Sequence, residues 1–487
     1  MRFKLILSIV NLMLIICGIG MVIPGLADYI NHGKETATPF FLAGGATVLC
    51  GLIGRKLFKT DPEPLRPKEM FLTTTLIWVV FTLFSALPFY FSKYHLSFTD
   101  AFFESMSGLT TTGATILTNL DTMDHGILLW RSILQWFGGL GIIVVTLMVL
   151  PTLHIGGMHF FTTESSEKSD KSAPKMAQTL RGIIYFFLLL SVACAICLWL
   201  AGMSIFDAIN HAMTTISTGG FSTKDTSIGY FQNPAIEWII TFFMAVSGLP
   251  MIIGLLILKR KWQNIKNDEQ IKTYFWVIFW SVLLLSAYRW HHAHFNTEAF
   301  ADILRTDLFS IISVMTTTGY VTENYMLWGN FSIAFFLMLL MTGACTGSTS
   351  GGIKMFRYSV FIKTIKTRMK SLTQPHGVFI PRYGEKAIND DMLIGIMVFI
   401  GLYLFSAGIL TLILSLFGLD LLTALSGTLT SLSNVGPALG HVIGPDKTFA
   451  LLPDIAKWIL SFAMLLGRLE FIAVIILFFP HFWKRNI

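Results

Sequence analysis

Ten long apolar stretches limit what this 487-residue chain can fold into. A helix needs roughly 20 residues to cross a hydrocarbon core about 30 Å thick, and every stretch is close to that length or longer. They lie at residues 5–27, 36–54, 70–91, 126–155, 182–203, 235–258, 273–290, 331–362, 392–417 and 455–480. The pattern predicts an all-α polytopic membrane protein with ten transmembrane helices.

The placement of charge supports this topology. Only 13% of the residues are charged, against about 25% in soluble proteins, which excludes an ordinary water-soluble enzyme. Most of the 35 lysines and arginines fall in alternate connections, on the side that would hold the N terminus. This is the positive-inside rule, and it predicts that both termini are cytoplasmic. The net charge of +7 is therefore a topology signal and does not indicate nucleic-acid binding.

Four connections on the opposite side share a pattern. Each holds an apolar segment too short to span, followed by a polar loop with glycine. The segments begin at potential N-caps, which are Ser97, Ser204, Asp307 and Asp420. When the loops are aligned on their glycines, Gly113, Gly219, Gly319 and Gly436 occupy equivalent positions. The chain thus contains four copies of a helix, a re-entrant half-helix and a return helix.

The four loops predict one shared axial pore. Non-helical backbone at membrane depth is tolerated only where protein buries it or where it lines a watery path, and glycine lets successive carbonyls face a common axis. The half-helix C-termini carry partial negative charge, and no loop contains a carboxylate. This favours a large monovalent cation, above all potassium, over calcium or magnesium. A single TTTG could be a simple turn at a helix end, so the repetition carries the interpretation.

Seven segments also carry a family resemblance. They are DAFFESMSGLTTTGAT (100–115), LQWFGGLGIIV (134–144), FDAINHAMTTISTGGFST (206–223), MTTTGY (315–320), GACTGSTSGGIK (343–354), NVGPALG (434–440) and GRLE (467–470). They resemble the Trk/Ktr/HKT superfamily of potassium transporters, and within it most closely the TrkH family of membrane subunits of bacterial Trk systems. The resemblance implies two N-terminal helices and four repeats around a pseudo-fourfold pore. We place these units at 1–68, 69–175, 176–266, 267–385 and 386–487.

The resemblance also implies a potassium selectivity filter built from backbone carbonyls. Carried over to this sequence, its residues are Thr110, Thr111, Thr112 and Gly113; Ile216, Ser217, Thr218 and Gly219; Thr316, Thr317, Thr318 and Gly319; and Ser433, Asn434, Val435 and Gly436. Family members with serine at the first glycine tend to admit sodium, so Gly113 favours potassium. Potassium would be the transported ion at these residues, and no cofactor is expected.

The eighth stretch is interrupted at 342–352 by four glycines and several hydroxyls, and each glycine lowers helix stability by about 1 kcal/mol relative to alanine. A break below the filter is expected, with a tight helix-packing patch as the alternative. The resemblance assigns these residues to an intramembrane gate, made of Gly343, Ala344, Cys345, Thr346, Gly347, Ser348, Thr349, Ser350, Gly351, Gly352 and Lys354. Lys354 is either a pore charge or a snorkelling cytoplasmic anchor.

Arg468 lies in the middle of the last stretch, where a charge costs about 2.5–3.5 kcal/mol on insertion scales. The resemblance places it in the pore under the filter. The alternative is an internal salt bridge with Glu470 or Glu104.

The resemblance further implies a homodimer in the bacterial inner membrane, bound on its cytoplasmic face to a nucleotide-binding regulatory ring of the TrkA type. Channel-like potassium uptake is the leading interpretation. An alternating-access symporter coupled to protons or sodium would need an embedded carboxylate and inverted repeats, and Glu104 and Glu470 are the obvious candidates. A membrane enzyme would require a Ser/His, paired-Asp or HExxH arrangement at membrane depth, and the sequence shows none there, so no enzymatic activity is predicted.

Overall fold

The computed structural model describes residues 1–61, 63–148, 173–294, 297–384 and 386–484, which are predominantly helical. The principal helices are Phe3–Gly20, Val22–Asn31, Lys34–Leu57, Pro67–Ser85, Phe98–Leu109, His125–Met148, Ala173–Leu200, Ile205–Ile216, Pro234–Ser247, Ile253–Leu258, Trp262–Asn267, Glu269–His292, Thr297–Met315, Asn330–Leu339, Met355–Thr373, Asp390–Leu416, Leu421–Ser433 and Asp454–Arg468. Shorter helices are Leu87–Tyr90, Ile472–Ile475 and Pro480–Trp483, and 3-10 turns lie at Leu120–Thr122, Ser227–Phe231, Tyr325–Trp328 and Ile476–Phe478. A small antiparallel hairpin pairs Arg382–Tyr383 with Lys386–Ala387.

Among the described residues, seven helices are long and apolar enough to cross a membrane, or eight if Asp454–Arg468 and Ile472–Phe478 form one span bent by 112°. The other two stretches are broken. The eighth is split into Asn330–Leu339 and Met355–Thr373, as its glycines predict. The count of ten spans remains a prediction. The end of the fourth stretch, 149–155, lies outside the described residues.

The sixth stretch, 235–258, is also broken, which the sequence analysis missed. Its two helices are Pro234–Ser247 and Ile253–Leu258. The break contains Pro250, which has no backbone N–H and so interrupts the helical hydrogen bonds. A continuous helix over this stretch was therefore a wrong prediction.

Three of the four half-helices begin at the predicted caps. The side chains of Ser97, Ser204 and Asp420 accept hydrogen bonds from backbone amides three residues ahead, at 3.0–3.1 Å. The third prediction was wrong, because that helix begins at Thr297 and continues through Asp307. The Asp307 carboxylate instead pairs with Arg289 at 2.5 Å.

The half-helices are held by helices from neighbouring units. Phe98–Leu109 packs against both His125–Met148, which follows it, and Asp454–Arg468 near the other end of the chain. Lys457 on the latter helix pairs with Asp100 at 2.6 Å. Ile205–Ile216 packs against His125–Met148, and Thr297–Met315 against Pro234–Ser247. The last unit therefore returns to the first, so that the four loops lie close together.

Candidate ion pathway

Each half-helix ends in a loop with the same backbone pattern. The first left-handed residue is Thr111 (φ 53°), Thr218 (φ 52°), Thr317 (φ 57°) or Asn434 (φ 56°). Two residues later comes a left-handed glycine, which is Gly113 (φ 83°), Gly220 (φ 77°), Gly319 (φ 79°) or Gly436 (φ 104°). A residue with a Cβ is strained in this conformation, so the glycines are needed where the loops turn.

This pattern corrects the predicted register of the second loop by one residue. Its left-handed glycine is Gly220, whereas the sequence alignment used Gly219. Ile216 is the last residue of the half-helix, so the segment equivalent to 110–113 is Ser217, Thr218, Gly219 and Gly220. The hydrogen bonds agree: Gly219 and Gly220 both donate to Thr214 O, as Thr318 and Gly319 both donate to Ser313 O.

The four loops close into a ring through their glycines and carbonyls. A Cβ added at Gly113 would overlap the carbonyl oxygen of Gly219, and one added at Gly220 would overlap that of Thr318. In the same way, a Cβ added at Gly319 would overlap the carbonyl oxygen of Val435, and one added at Gly436 would overlap that of Thr112. Each loop thus meets the next and the fourth meets the first. The carbonyls of Thr112, Gly219, Thr318 and Val435 form what we call the carbonyl ring.

Side chains behind the ring fix the loops. The hydroxyls of Thr110 and Thr112 lie 2.8 Å apart, as do those of Thr316 and Thr318. Asn434 Nδ2 donates to Thr112 Oγ1 at 3.0 Å, which ties the fourth loop to the first. These contacts engage the hydroxyls of Thr110, Thr112, Thr316 and Thr318 in bonds between side chains.

Gln135 supports the second loop, and the sequence analysis did not single it out as a site residue. Its Nε2 donates to Gly219 O at 2.6 Å, and its Oε1 accepts from Phe221 N at 3.1 Å. The one available signal was an amide side chain within the apolar segment LQWFGGLGIIV.

A buried ion pair lies on the outer side of the ring. Arg131 Nε and Glu104 Oε1 are 2.7 Å apart, with side-chain exposures of 1% and 0%. Arg131 also donates to Ser222 O at 2.8 Å, and Glu104 accepts from Ile116 N at 2.9 Å. The pair therefore connects the segments that follow the first two loops, at Ile116 and Ser222. The alternative salt bridge between Glu104 and Arg468 was wrong.

The ring opens outward into a cavity of about 80 Å³ lined by all four left-handed glycines. A water molecule needs about 10–15 Å³ of cavity space, so the cavity can hold several. Charges of both signs line it, from Lys224, Asp225, Asp446 and Lys447. A partly hydrated cation could therefore reach the ring from this side.

The predicted gate loop lies against the other side of the ring. Thr218 Oγ1 donates to Thr349 Oγ1 at 3.1 Å, and Gly351 N donates to Thr317 Oγ1 at 2.7 Å. A Cβ at Gly351 would overlap Ser433 O. The loop thus touches the second, third and fourth loops. These residues are not helical, so the alternative of a helix-packing patch was wrong.

Arg468 anchors this loop. It is 2% exposed, and it donates from Nη1 to Thr349 O at 2.8 Å and from Nη2 to Gly138 O at 3.2 Å. Glu470 pairs with Arg357 instead, so the expected alternative of an Arg468–Glu470 salt bridge was wrong. Within the described ranges, no carboxylate pairs with Arg468.

Lys354 faces the interior of the loop. It is buried, and its Nζ donates to Ser350 O and, at 3.1 Å, to Ser350 Oγ. The alternative interpretation of Lys354 as a snorkelling cytoplasmic anchor was therefore wrong. Lys354 and Arg468 both line a cavity of about 20 Å³ under the ring, which is room for about one water molecule.

A second broken helix supports the gate loop from the side. Cys345 N donates to Gly248 O at 3.0 Å, and Met251 N donates to Gly347 O at 2.9 Å. Gln270 Oε1 accepts from Thr346 N at 3.0 Å. The break at 248–252 thus supplies backbone partners for the loop.

Comparison with known proteins gives one consistent family. Residues 40–485 match the TrkH family model, described as a cation transport protein. The chain is 37% identical to the Trk system potassium uptake protein TrkI of Halomonas elongata, over 99% of this chain and 98% of that protein. It is 36% identical to the Trk system potassium uptake protein TrkH of Escherichia coli K12 over the full length of both. The crystal structure of the potassium transporter TrkH from Vibrio parahaemolyticus superimposes with a TM-score of 0.90 and 32% identity, covering 99% of this chain and 100% of that one.

Proposed function

The chain belongs to the TrkH family of cation transport proteins, and we propose that it takes up potassium through a channel-like pore whose selectivity filter is the carbonyl ring. The closed ring of four carbonyls and four left-handed glycines carries this proposal. Carbonyl dipoles can replace the hydration shell of a large monovalent cation. The relatives' names, which specify potassium uptake, support the choice of ion.

Channel-like conduction is favoured over coupled symport because the two candidate carboxylates are already engaged. Glu104 accepts hydrogen bonds from Arg131, Thr115 and Ile116, and Glu470 pairs with Arg357. A carboxylate that carries a coupling proton must gain and lose it during transport. Neutralising Glu104 would leave the buried Arg131 without its partner, which is costly.

In this proposal the gate loop closes the pathway below the filter. Its direct contacts with three filter loops and its anchoring by Arg468 support that role. Opening would require these hydrogen bonds to break and the loop to move away from the axis. The predicted assignment of gate residues is kept, with Gly248 and Gln270 added as supports.

The remaining features of the proposal concern the assembly. The protein would lie in the bacterial inner membrane as a homodimer with both termini cytoplasmic. Each protomer would consist of two N-terminal helices and four pore repeats. A cytosolic nucleotide-binding ring of the TrkA type would dock on the cytoplasmic face and control the gate loop. The relatives' designation as parts of a Trk system supports a multi-component assembly.

The test is ion flux into proteoliposomes that contain this protein alone. Potassium, rubidium, sodium and lithium are compared at fixed voltage, with Gly113→Ser in parallel. We expect potassium and rubidium flux that follows voltage without a proton or sodium gradient, and a loss of discrimination in the variant. Flux that needs an imposed proton or sodium gradient would favour the symporter, and equal flux of all four ions through both proteins would refute the filter.

A further inference from the structure

The second filter loop departs from the other three at one position of the carbonyl ring. The first, third and fourth loops have Thr112, Thr318 and Val435 there, and the second has Gly219. Gly219 does not have a left-handed φ, unlike Gly220 beside it. The backbone φ therefore does not require glycine at 219, and a different constraint must explain it.

That constraint is the side chain of Gln135. A Cβ at Gly219 would overlap the Cδ and Oε1 of Gln135 and lie 2.8 Å from its Nε2. The Gln135 amide thus occupies the space that a side chain fills in the other loops. Gln135 is fully buried on the His125–Met148 helix, which belongs to the first predicted repeat.

The amide also supplies the polar contact that the second loop lacks. In the first and third loops, the ring-position hydroxyls of Thr112 and Thr318 bind Thr110 and Thr316. Gly219 has no hydroxyl, and Gln135 instead donates to Gly219 O and accepts from Phe221 N. A carbonyl oxygen has two lone pairs, so one hydrogen bond leaves the other free for a cation.

We propose that Gln135 is a positioning residue of the filter: it replaces the missing side chain at position 219 and fixes the orientation of the Gly219 carbonyl. Two adjacent glycines, with no Cβ at either residue, put the weakest steric restriction on rotation of the Gly219–Gly220 peptide. Without Gln135 this peptide could rotate, and the ring would discriminate less between potassium and a smaller ion. This inference rests on the proposed filter.

The first measurement is the potassium-to-sodium flux ratio of Gln135→Ala in proteoliposomes. We expect the ratio to fall about two- to tenfold, the range that corresponds to the loss of one neutral hydrogen bond, with potassium flux largely kept. Ser132→Ala is the matched control, because Ser132 lies one turn earlier on the same helix and donates only to Leu128 O of that helix. Its ratio should equal that of the unmodified protein.

The second measurement is a rescue. Gly219→Thr alone should lower both potassium flux and discrimination, because the new Cβ overlaps the Gln135 amide and displaces it from Gly219 O and Phe221 N. Combining it with Gln135→Ala removes the overlap and lets the introduced hydroxyl approach Ser217, as Thr112 approaches Thr110. The double variant should regain at least part of the flux and the discrimination.

Two outcomes would overturn the inference. One is a double variant no better than Gly219→Thr when both are monodisperse and inserted. The other is a potassium-to-sodium flux ratio of Gln135→Ala equal to that of Ser132→Ala. If Gly219→Thr does not reach the membrane, this second comparison is sufficient to refute the inference. Failure of the filter itself is separable, because it would leave the ratio unchanged in Gly113→Ser as well.

Discussion

Replacement of Arg468 by glutamine should open the pore. In the structure the guanidinium donates to Thr349 O at 2.8 Å and to Gly138 O at 3.2 Å, and the first bond ties the last span to the gate loop. A hydrogen bond from a charged group contributes about 1.5–3 kcal/mol. Loss of the Thr349 bond alone would shift the closed-to-open equilibrium by roughly 10- to 150-fold toward open.

The assay is potassium flux, or single-channel open probability, for the protein reconstituted without a partner. Arg468→Lys is the matched control, because it keeps the positive charge under the filter but loses the two-pronged donor geometry. If the hydrogen bond holds the gate closed, both variants should show raised open probability. If only the charge matters, Arg468→Lys should behave as the unmodified protein. Unchanged flux in Arg468→Gln would refute the anchoring role.

Two further predictions concern stability. Glu104→Gln leaves the buried Arg131 unpaired and should cost about 3–5 kcal/mol, seen as a lower midpoint of thermal unfolding in detergent; a midpoint within error of the original would contradict the structural role of the pair. Asp420→Ala removes the N-cap of the Leu421–Ser433 helix and should cost about 1 kcal/mol. Hydrogen bonds from Thr423 lower the pKa of Asp420, so this contribution should be complete above the pKa of an unfolded aspartate, about 3.9, and decrease as pH falls below it. A difference between the two proteins that is the same at pH 3 and pH 6 would refute the capping account.

Most of the helices were predictable because apolar stretches of membrane length have few alternatives to helix. The break at 342–352 was also predicted from sequence, since four glycines in eleven residues oppose a helix. The break at 248–252 was missed because its apolar residues continue the pattern of the span on both sides. Its marks in the sequence are Gly248, the C-cap of the first helix, and Pro250.

The site was less predictable where partners are distant in sequence. The adjacent Gly219 and Gly220 allow two alignments, and only the backbone angles select Gly220. Asp307 has the residue type and position of an N-cap in the sequence, and its ion pair with Arg289 is visible only in the structure. The contact of Gln135 with Gly219 joins residues 84 positions apart, and no local pattern predicts it.

The central claim is that a cation binds between the carbonyls of Thr112, Gly219, Thr318 and Val435. It is tested most directly by an anomalous difference map from crystals of this protein grown in rubidium, an ion that potassium sites accept. The account predicts a peak on the axis of the carbonyl ring and its loss in crystals of Gly220→Ser. A map with no peak at the ring, or a peak only among the charged residues of the outer cavity, would contradict it.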